Sequence, residues 1–374
     1  MPRSRDKEGK KVRYAVVGLG YIAQAAVLPA FEHAANSELA ALVSDDPEKL
    51  KKLGRKYSVE HRRSYADYDA LLASGEIDAV YIALPNSMHR EYAVRAAQAG
   101  VHVLCEKPMA VTEGECRDMI RAAAQANVRL MVAYRLHFDA ANLAAVNAVE
   151  SGTIGEPRIF DSVFTMQVRD EGNIRLKRGM GGGTLYDIGI YCINAARYLF
   201  RSEPEEVAAF SGSSDDPRFS EVDEMTSAML RFPGARLAGF SCSFGAADSG
   251  AYDLVGTEGR LRLDPAYEYA AQMTLTTAAR GKTSRRTFAK RDQFGPELVY
   301  FSDCVRGERD PEPDGREGLA DVRVIRALYE SARTKKPMRL DAFEKDTRPE
   351  PDQEIRRKGI REPKFVHAEP PGGG

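Results

Sequence analysis

The sequence predicts a two-domain protein of mixed class, α/β followed by α+β. A doubly wound parallel sheet is expected over residues 1–134, and an open, mostly antiparallel β-sheet with segregated helices over residues 135–343. Three observations carry this reading. Residues 12–134 alternate short apolar runs with alanine-rich helical stretches, the βαβ rhythm of a doubly wound sheet. After about residue 155 that rhythm gives way to successive strands separated by turns such as Pro233-Gly234 and Glu258-Gly259. At 374 residues the chain also exceeds the usual size of one domain.

In the first domain, Arg13–Val17, Glu38–Ser44, Ala79–Ala83, Val101–Cys105 and Leu130–Ala133 are short, apolar or β-branched, and read as buried parallel strands. Ile22–Ala34, Pro47–Tyr57, Met88–Ala99 and Glu113–Ala126 read as the helices between them, with Asn36, Gly100 and Asn127 at helix ends. In the second domain, strands are expected at Arg158–Val168, Glu206–Ser211, Glu224–Phe232, Leu237–Phe244, Ala251–Val255 and Leu261–Asp264. One early helix, Leu185–Phe200, interrupts them, and a helix over Gly318–Thr334 is expected to pack back on the first domain. From Glu344 the chain is polar and proline-rich, so residues 344–374 are expected to form a disordered tail without chemistry. An open sheet covered on one face by its own helices leaves the other needing a partner, which predicts a homodimer or homotetramer.

Composition narrows the function classes. With 54 basic against 55 acidic residues the net charge is −1, so no global field draws in nucleic acid or an anionic membrane. The start, MPRSRDKEGKK, is charged and has no apolar signal-peptide core. No apolar stretch approaches the roughly 20 residues that span a bilayer. The five cysteines are scattered without CxxC spacing and the six histidines lack HxxxH spacing. Reduced thiols, a cytoplasmic location and no metal are the expectation.

The motifs sit where a doubly wound sheet places ligands. GLGYIA, residues 18–23, falls in the first βα turn. There Gly18 and Gly20 permit the turn and let the backbone approach a pyrophosphate, with Tyr21 and Ile22 opening the helix whose N-terminus stabilises it. The first domain therefore reads as a Rossmann domain for NAD(P). LPNSMH, residues 84–89, follows the third strand, where Leu84, Asn86 and His89 either hold cofactor phosphate or ribose or simply cap a helix. CEKP, residues 105–108, ends the fourth strand, on the side where such sheets bind ligands. Lys107 there can orient a substrate hydroxyl, with Glu106 and Pro108 shaping the loop. Outside this context the same residues would read as a surface Glu-Lys pair. YRLHF, residues 134–138, sends Arg135 and His137 toward the same crevice. GGGTLYDIGIYCINAARYL, residues 181–199, puts Asp187 and Tyr191 four apart on one helix face behind three glycines. A carboxylate and a phenol so placed opposite Lys107 make an acid–base set. Spacing alone favours a plain amphipathic helix.

Taken in order, GLGYIA, LPNSMH, CEKPMA, YRLHF and GGGTLYDIGIYCINAARYL resemble the glucose–fructose oxidoreductase / inositol dehydrogenase / MocA (Gfo/Idh/MocA) family of NAD(P)-dependent oxidoreductases, from about Val12 to Thr334. Most of the family has histidine at the position of Tyr191. With tyrosine there, the chain looks most like the glucose–fructose oxidoreductase branch. The resemblance implies hydride transfer between a sugar or polyol hydroxyl and the nicotinamide, with Tyr191 as general base, Asp187 holding a substrate hydroxyl, and Lys107 beside both. A free tyrosine has a pKa near 10, and an adjacent lysine charge moves it toward the working range. Arg175 and Lys177, just before the glycines, are expected to line the sugar pocket. The resemblance implies NADP, with NAD as the alternative: Ser44 ends the second strand where NAD-selecting sites carry a carboxylate, and Lys49 supplies positive charge. Asp45 and Asp46 argue for NAD unless they cap the helix at Pro47. The known branch member carries an export signal and an N-terminal arm that helps retain NADP, whereas about eleven residues precede the first strand here. Inositol, xylose and dihydrodiol dehydrogenases, and a non-catalytic NAD(P)-binding regulator, are the alternatives.

Overall fold

Alternation of buried side chains on short strands builds the first sheet. In the computed structural model, which describes residues 10–361 and 363–372, β1 (Val12–Val17) sends Ala15 and Val17 into one apolar cluster and Tyr14 and Val16 into another. A strand buried on both faces must be apolar at both parities, which explains its sequence. With β2 (Ser37–Val43), β3 (His61–Arg63), β4 (Ala79–Ile82), β5 (His102–Cys105) and β6 (Leu130–Val132), it forms a six-stranded parallel sheet in the order β3-β2-β1-β4-β5-β6. The order reverses beside β1, which opens the ligand crevice at the strands' carboxyl ends. The charged lead-in, residues 1–9, lies outside the described residues.

The helices follow their capping signals. Asp46 caps Pro47–Lys56 by accepting from the amides of Glu48 and Lys49, and Thr112 and Glu115 form a capping box on Glu113–Ala126. Asn127 ends that helix in the left-handed conformation at φ 53°. The first helix departs from expectation. Its opening turn, Ala23–Val27, is widened to i→i+5 bonding, and Pro29, which has no N–H to donate, follows directly.

The second sheet has nine strands: β7 (Pro157–Thr165), β8 (Glu206–Gly212), β9 (Met225–Phe232), β10 (Arg236–Ser243), β11 (Ser249–Gly256), β12 (Gly259–Asp264), β13 (Met273–Ala279), β14 (Lys282–Phe288) and β15 (Met338–Arg339). Their order is β14-β13-β12-β11-β7-β10-β9-β8-β15, antiparallel throughout except for the β7–β10 pair. The strands β3, β13, β14 and β15 and the helices Tyr68–Ala73, Ala140–Glu150 and Phe294–Gly307 escape the sequence reading. The β13–β14 hairpin is an edge ribbon of Thr, Arg and Lys that buries little, so it lacks the apolar alternation of a strand.

Two late helices return to the first sheet. Phe294–Gly307 lies on one face, where Ser302 Oγ is 2.7 Å from Tyr14 Oη and 2.8 Å from Ser37 Oγ. Gly315–Thr334 packs on Glu113–Ala126 and β6, as expected for the helix at 318–334. It is joined to the helix Ile190–Phe200 by Arg197, whose fully buried guanidinium bonds Glu203 at 2.7 Å and both Glu317 and Asp321 at 2.6 Å.

The segment from Glu344 onward is not the free tail its composition suggests. Its charges add further cations to buried carboxylates that Arg197 already engages. Lys345 Nζ sits 3.0 Å from Glu317, Arg348 bonds Glu203 at 2.7 Å, and Gln353 donates to the Glu312 carbonyl. Farther on, Arg357 reaches the His33 carbonyl and Val366 pairs with Gln24. A composition argument counts such charges as solvated, and pairing across the fold reverses that.

Arg197→Met should lower unfolding stability by about 3–5 kcal/mol, because it leaves Asp321 buried without its cation and Glu317 with Lys345 in place of the full network. Urea denaturation measures this, and a loss below about 1 kcal/mol would mean the pair is compensated elsewhere.

Candidate active site

A cleft of about 460 Å³ opens between the carboxyl ends of the parallel strands and the second sheet. Its floor is the first βα turn. Gly18 has φ 92°, and a Cβ there would lie 2.5 Å from the Ala83 carbonyl oxygen, so only glycine lets β1 turn against the chain leaving β4. At Gly20 the position of a Cβ is open space, and Gly20, Tyr21 and Ile22 all line the cleft. An exposed glycine backbone running into a helix N-terminus is a cradle that fits a diphosphate, so these residues suit the dinucleotide.

Leu84, Asn86, Glu106, Lys107 and Arg135 line the same cleft from the ends of the next strands. Arg175, Asp187 and Tyr191 enter from the second domain. The glycine triad makes this meeting possible: Gly181 has φ 75°, and a Cβ on it would be 2.5 Å from Val111 and 2.8 Å from Asn86. Asn86 Nδ2 donates to the Gly181 carbonyl at 2.8 Å. The helix then opens with a second widened turn, Leu185–Gly189, before Ile190–Phe200 continues as regular helix. Asp187 and Tyr191 both face Lys107 across it.

Lys107 Nζ donates to the Asp187 carbonyl oxygen at 2.8 Å and to Oδ1 at 3.3 Å, and stands 4.9 Å from the centre of the Tyr191 ring. Arg175 Nε bonds Asp187 Oδ2 at 2.6 Å. Arg135 also lies over the Tyr191 ring, its guanidinium 5.1 Å from the ring centre, and is itself held by Gln293 and the Tyr267 carbonyl. Burial opposes the Asp187 charge, but Arg175 and Lys107 overcome it and bring the carboxyl down to about 2. Burial likewise opposes the Lys107 charge, yet Tyr191, Asp187 and Glu106 outweigh it and the ammonium's pKa is raised. Burial pushes the Glu106 carboxyl up, against Lys107 and the hydroxyl of Tyr81 at 2.9 Å. The arrangement therefore holds a fixed ammonium, an ionised carboxylate and a phenol around one space. That set can bind a hydroxyl and exchange its proton.

Other expected residues sit elsewhere. His89 is fully buried, with Nδ1 2.8 Å from the Pro108 carbonyl and Nε2 2.9 Å from that of Leu84. Both nitrogens are spent on backbone, so it staples two cleft loops together and has nothing left for phosphate or ribose. His137 is also buried, beside Asn194 and Glu312. Lys177 pairs with Glu221 at 3.3 Å and does not line the cleft. At the end of β2, Ser44 is buried and accepts from the Asp46 amide at 3.2 Å, while Lys49 gives its own amide to Asp46. Asp46 caps the helix as the capping alternative requires, but Asp45 instead accepts from the Tyr65 amide at 2.8 Å. The far wall, with Gln167, Asp248, Tyr267 and Tyr269, was not anticipated. These residues are isolated positions at strand ends and in loops, with no motif to mark them.

Comparison with known proteins agrees with this geometry. The model of the oxidoreductase family with the NAD-binding Rossmann fold matches residues 12–134, and that of the GFO/IDH/MocA C-terminal domain matches residues 142–262. A D-xylose 1-dehydrogenase (NADP(+)) of Haloarcula marismortui is 32% identical over 336 residues, covering 88% of this chain and 93% of that protein. An aldose-aldose oxidoreductase from Caulobacter crescentus, complexed with glycerol, superposes with a TM-score of 0.85 at 38% identity, over 88% of this chain and 100% of that one. A 3-ketoreductase from Actinomadura kijaniata, in complex with NADP and TDP-benzene, gives 0.79 at 26% identity, over 86% and 98%. With both halves matched, and relatives aligned along nearly their whole length, the chain belongs to the Gfo/Idh/MocA family of NAD(P)-dependent oxidoreductases.

Proposed function

We propose that the chain is an NADP(H)-preferring oxidoreductase of sugars, acting at an aldose or polyol hydroxyl. The observation that carries this reading is the convergence of Lys107, Asp187 and Tyr191 on one space beside the glycine cradle. A bound nicotinamide supplies the hydride acceptor or donor. Oxidation of a C–OH then needs a group to take the hydroxyl proton. Lys107 is held as an ammonium and Asp187 as an anion already engaged by two cations, which leaves Tyr191 to take the hydroxyl proton on its phenolate oxygen in oxidation and to give it back from the phenol in reduction. Lys107 donates to the reacting oxygen, and Asp187 fixes a neighbouring hydroxyl; Arg175 keeps the carboxylate in place. The relatives' names favour an aldose substrate, and D-xylose 1-dehydrogenase is the specific alternative.

The β2 end supports NADP. Ser44 offers a neutral hydroxyl where a ribose-binding carboxylate would repel a 2′-phosphate, and Asp45 and Asp46 are both spent on backbone amides. The outer face of the second sheet supports self-association. It carries Phe210 at 79% exposure, with Met225, Met229, Ile159 and Val163 on the same face, apolar side chains that a lone protomer would leave in water. All five cysteines are buried and unpaired, in keeping with a reducing, cytoplasmic setting. Among the described residues, no helix is long and apolar enough to cross a membrane.

A panel of aldoses and polyols with each cofactor, followed by nicotinamide absorbance, tests the reading directly; no turnover of any of them would overturn it. Tyr191→Phe should lower kcat by about 10²–10⁴ while leaving NADPH affinity unchanged. Wild-type kcat in that variant would move the proton-transfer role to another group. The ratio of kcat/KM for NADP(H) over NAD(H) should exceed one in the native chain and fall in Ser44→Asp; a native preference for NAD(H) refutes the cofactor assignment. Light scattering should give two or four times the 41.3 kDa protomer, and Phe210→Asp should shift it toward the monomer. A native mass near one protomer excludes the sheet-face interface.

A further inference from the structure

The last described segment of the chain runs across the mouth of the cofactor crevice and touches each part of it in turn. Phe365 packs against Tyr21 of the glycine turn, ring centres 5.1 Å apart. Val366 exchanges two hydrogen bonds with Gln24, each 2.8 Å, and Gln24 also donates to the Leu19 carbonyl at 2.9 Å. His367 Nδ1 lies 2.8 Å from Asp46 Oδ2 at the end of β2, next to Ser44. Four residues later, the Pro371 carbonyl accepts from the Arg169 amide of the second domain, and Pro371 and Gly372 line the cleft together with Arg175 and Asp187.

We infer that Phe365–Gly372 is a strap that closes the crevice over the bound dinucleotide and limits its release. The inference rests on the cofactor reading and not on the sugar reading. A dinucleotide reaching from the β2 end past Gly20 to Lys107 has to lie between these anchor points. The step from His367 to Pro371 spans at most about 14 Å at full extension, so the strap has little slack once both ends are tied. Its first anchor is a side chain of the helix after the glycine turn and its last is the Arg169 backbone of the second domain, so it also ties the two domains across the site. Pro371 and Gly372 line the cleft, and about 460 Å³ stays open between them, Lys107 and Tyr191.

The test compares the full chain with a chain ending at Lys364 and with Val366→Pro, which removes the amide that donates to Gln24 together with the valine side chain. The anchoring ion pairs upstream remain in both. NADPH and NADP+ dissociation is followed by stopped-flow displacement without any sugar, and cofactor content is measured after desalting. The shortened chain should release cofactor at least roughly tenfold faster and lose it on desalting, the scale of one or two lost hydrogen bonds, with Val366→Pro in between. Equal release rates in all three proteins overturn the strap while leaving the cofactor site standing. Tighter binding in the shortened chain also overturns it, because the segment would then be a competitor for the site. A full chain that binds neither NADP(H) nor NAD(H) overturns the cofactor reading and the strap together.

Discussion

The site exists only because a helix of the second domain is held against the strand ends of the first, and Arg197 is what holds it. The side chain is fully buried, and it binds carboxylates on two different elements of the chain. Its own helix, Ile190–Phe200, carries Tyr191 at its start, and the helix it grips, Gly315–Thr334, packs on the first sheet. A guanidinium removed from water is costly, and that cost is met only when every carboxylate arrives in register. Asn194 adds to the same lock by donating to both Glu317 and Asp321. The packing of the two domains and the placement of Tyr191 are therefore one constraint.

The electrostatics of the cleft follow from the same economy. Three cations, Lys107, Arg135 and Arg175, face the cleft, and each is engaged by a fixed acceptor or ring before any ligand arrives. Such preorganisation means that little reorientation is required when charge develops on a substrate oxygen. Glu106 belongs to the other half of this balance. Burial raises its pKa, and the Tyr81 hydroxyl and the Lys107 amide satisfy its oxygens, so it supports the loop instead of competing for substrate.

Most of what could be read in the sequence was written in local pattern. The parallel strands announce themselves because burial on both faces demands unbroken apolar runs, and Glu113–Ala126 because its caps are explicit. Glycine spacing located both Gly18 and the triad before Asp187, since positive φ and close approach leave few other choices. What stayed hidden depends on distant partners. No local signal says that Lys345 and Arg348 will find Glu317 and Glu203, or that His89 will spend both nitrogens on carbonyls. Lys177 differs from Arg175 only in which carboxylate lies near it in space. The far wall of the cleft is contributed one residue at a time and carries no spacing to read.

Around the cleft, part of the seam between the domains is built from side chains that bind backbone. Lys107 donates to the carbonyl of Asp187 at a shorter distance than to its carboxylate, Asn86 donates to the carbonyl of Gly181, and Tyr186 donates to that of Val111 at 2.6 Å. A bond to a carbonyl survives substitution of the residue that carries it, provided the backbone keeps its path. That path is set by glycines whose conformations other residues adopt only with strain. Position and charge are therefore separable at Asp187: its carbonyl places Lys107, while its carboxylate lines the cleft and holds Arg175. The substrate-facing side chains can thus change while the frame that presents them stays in place, because the frame is written in main chain and glycine.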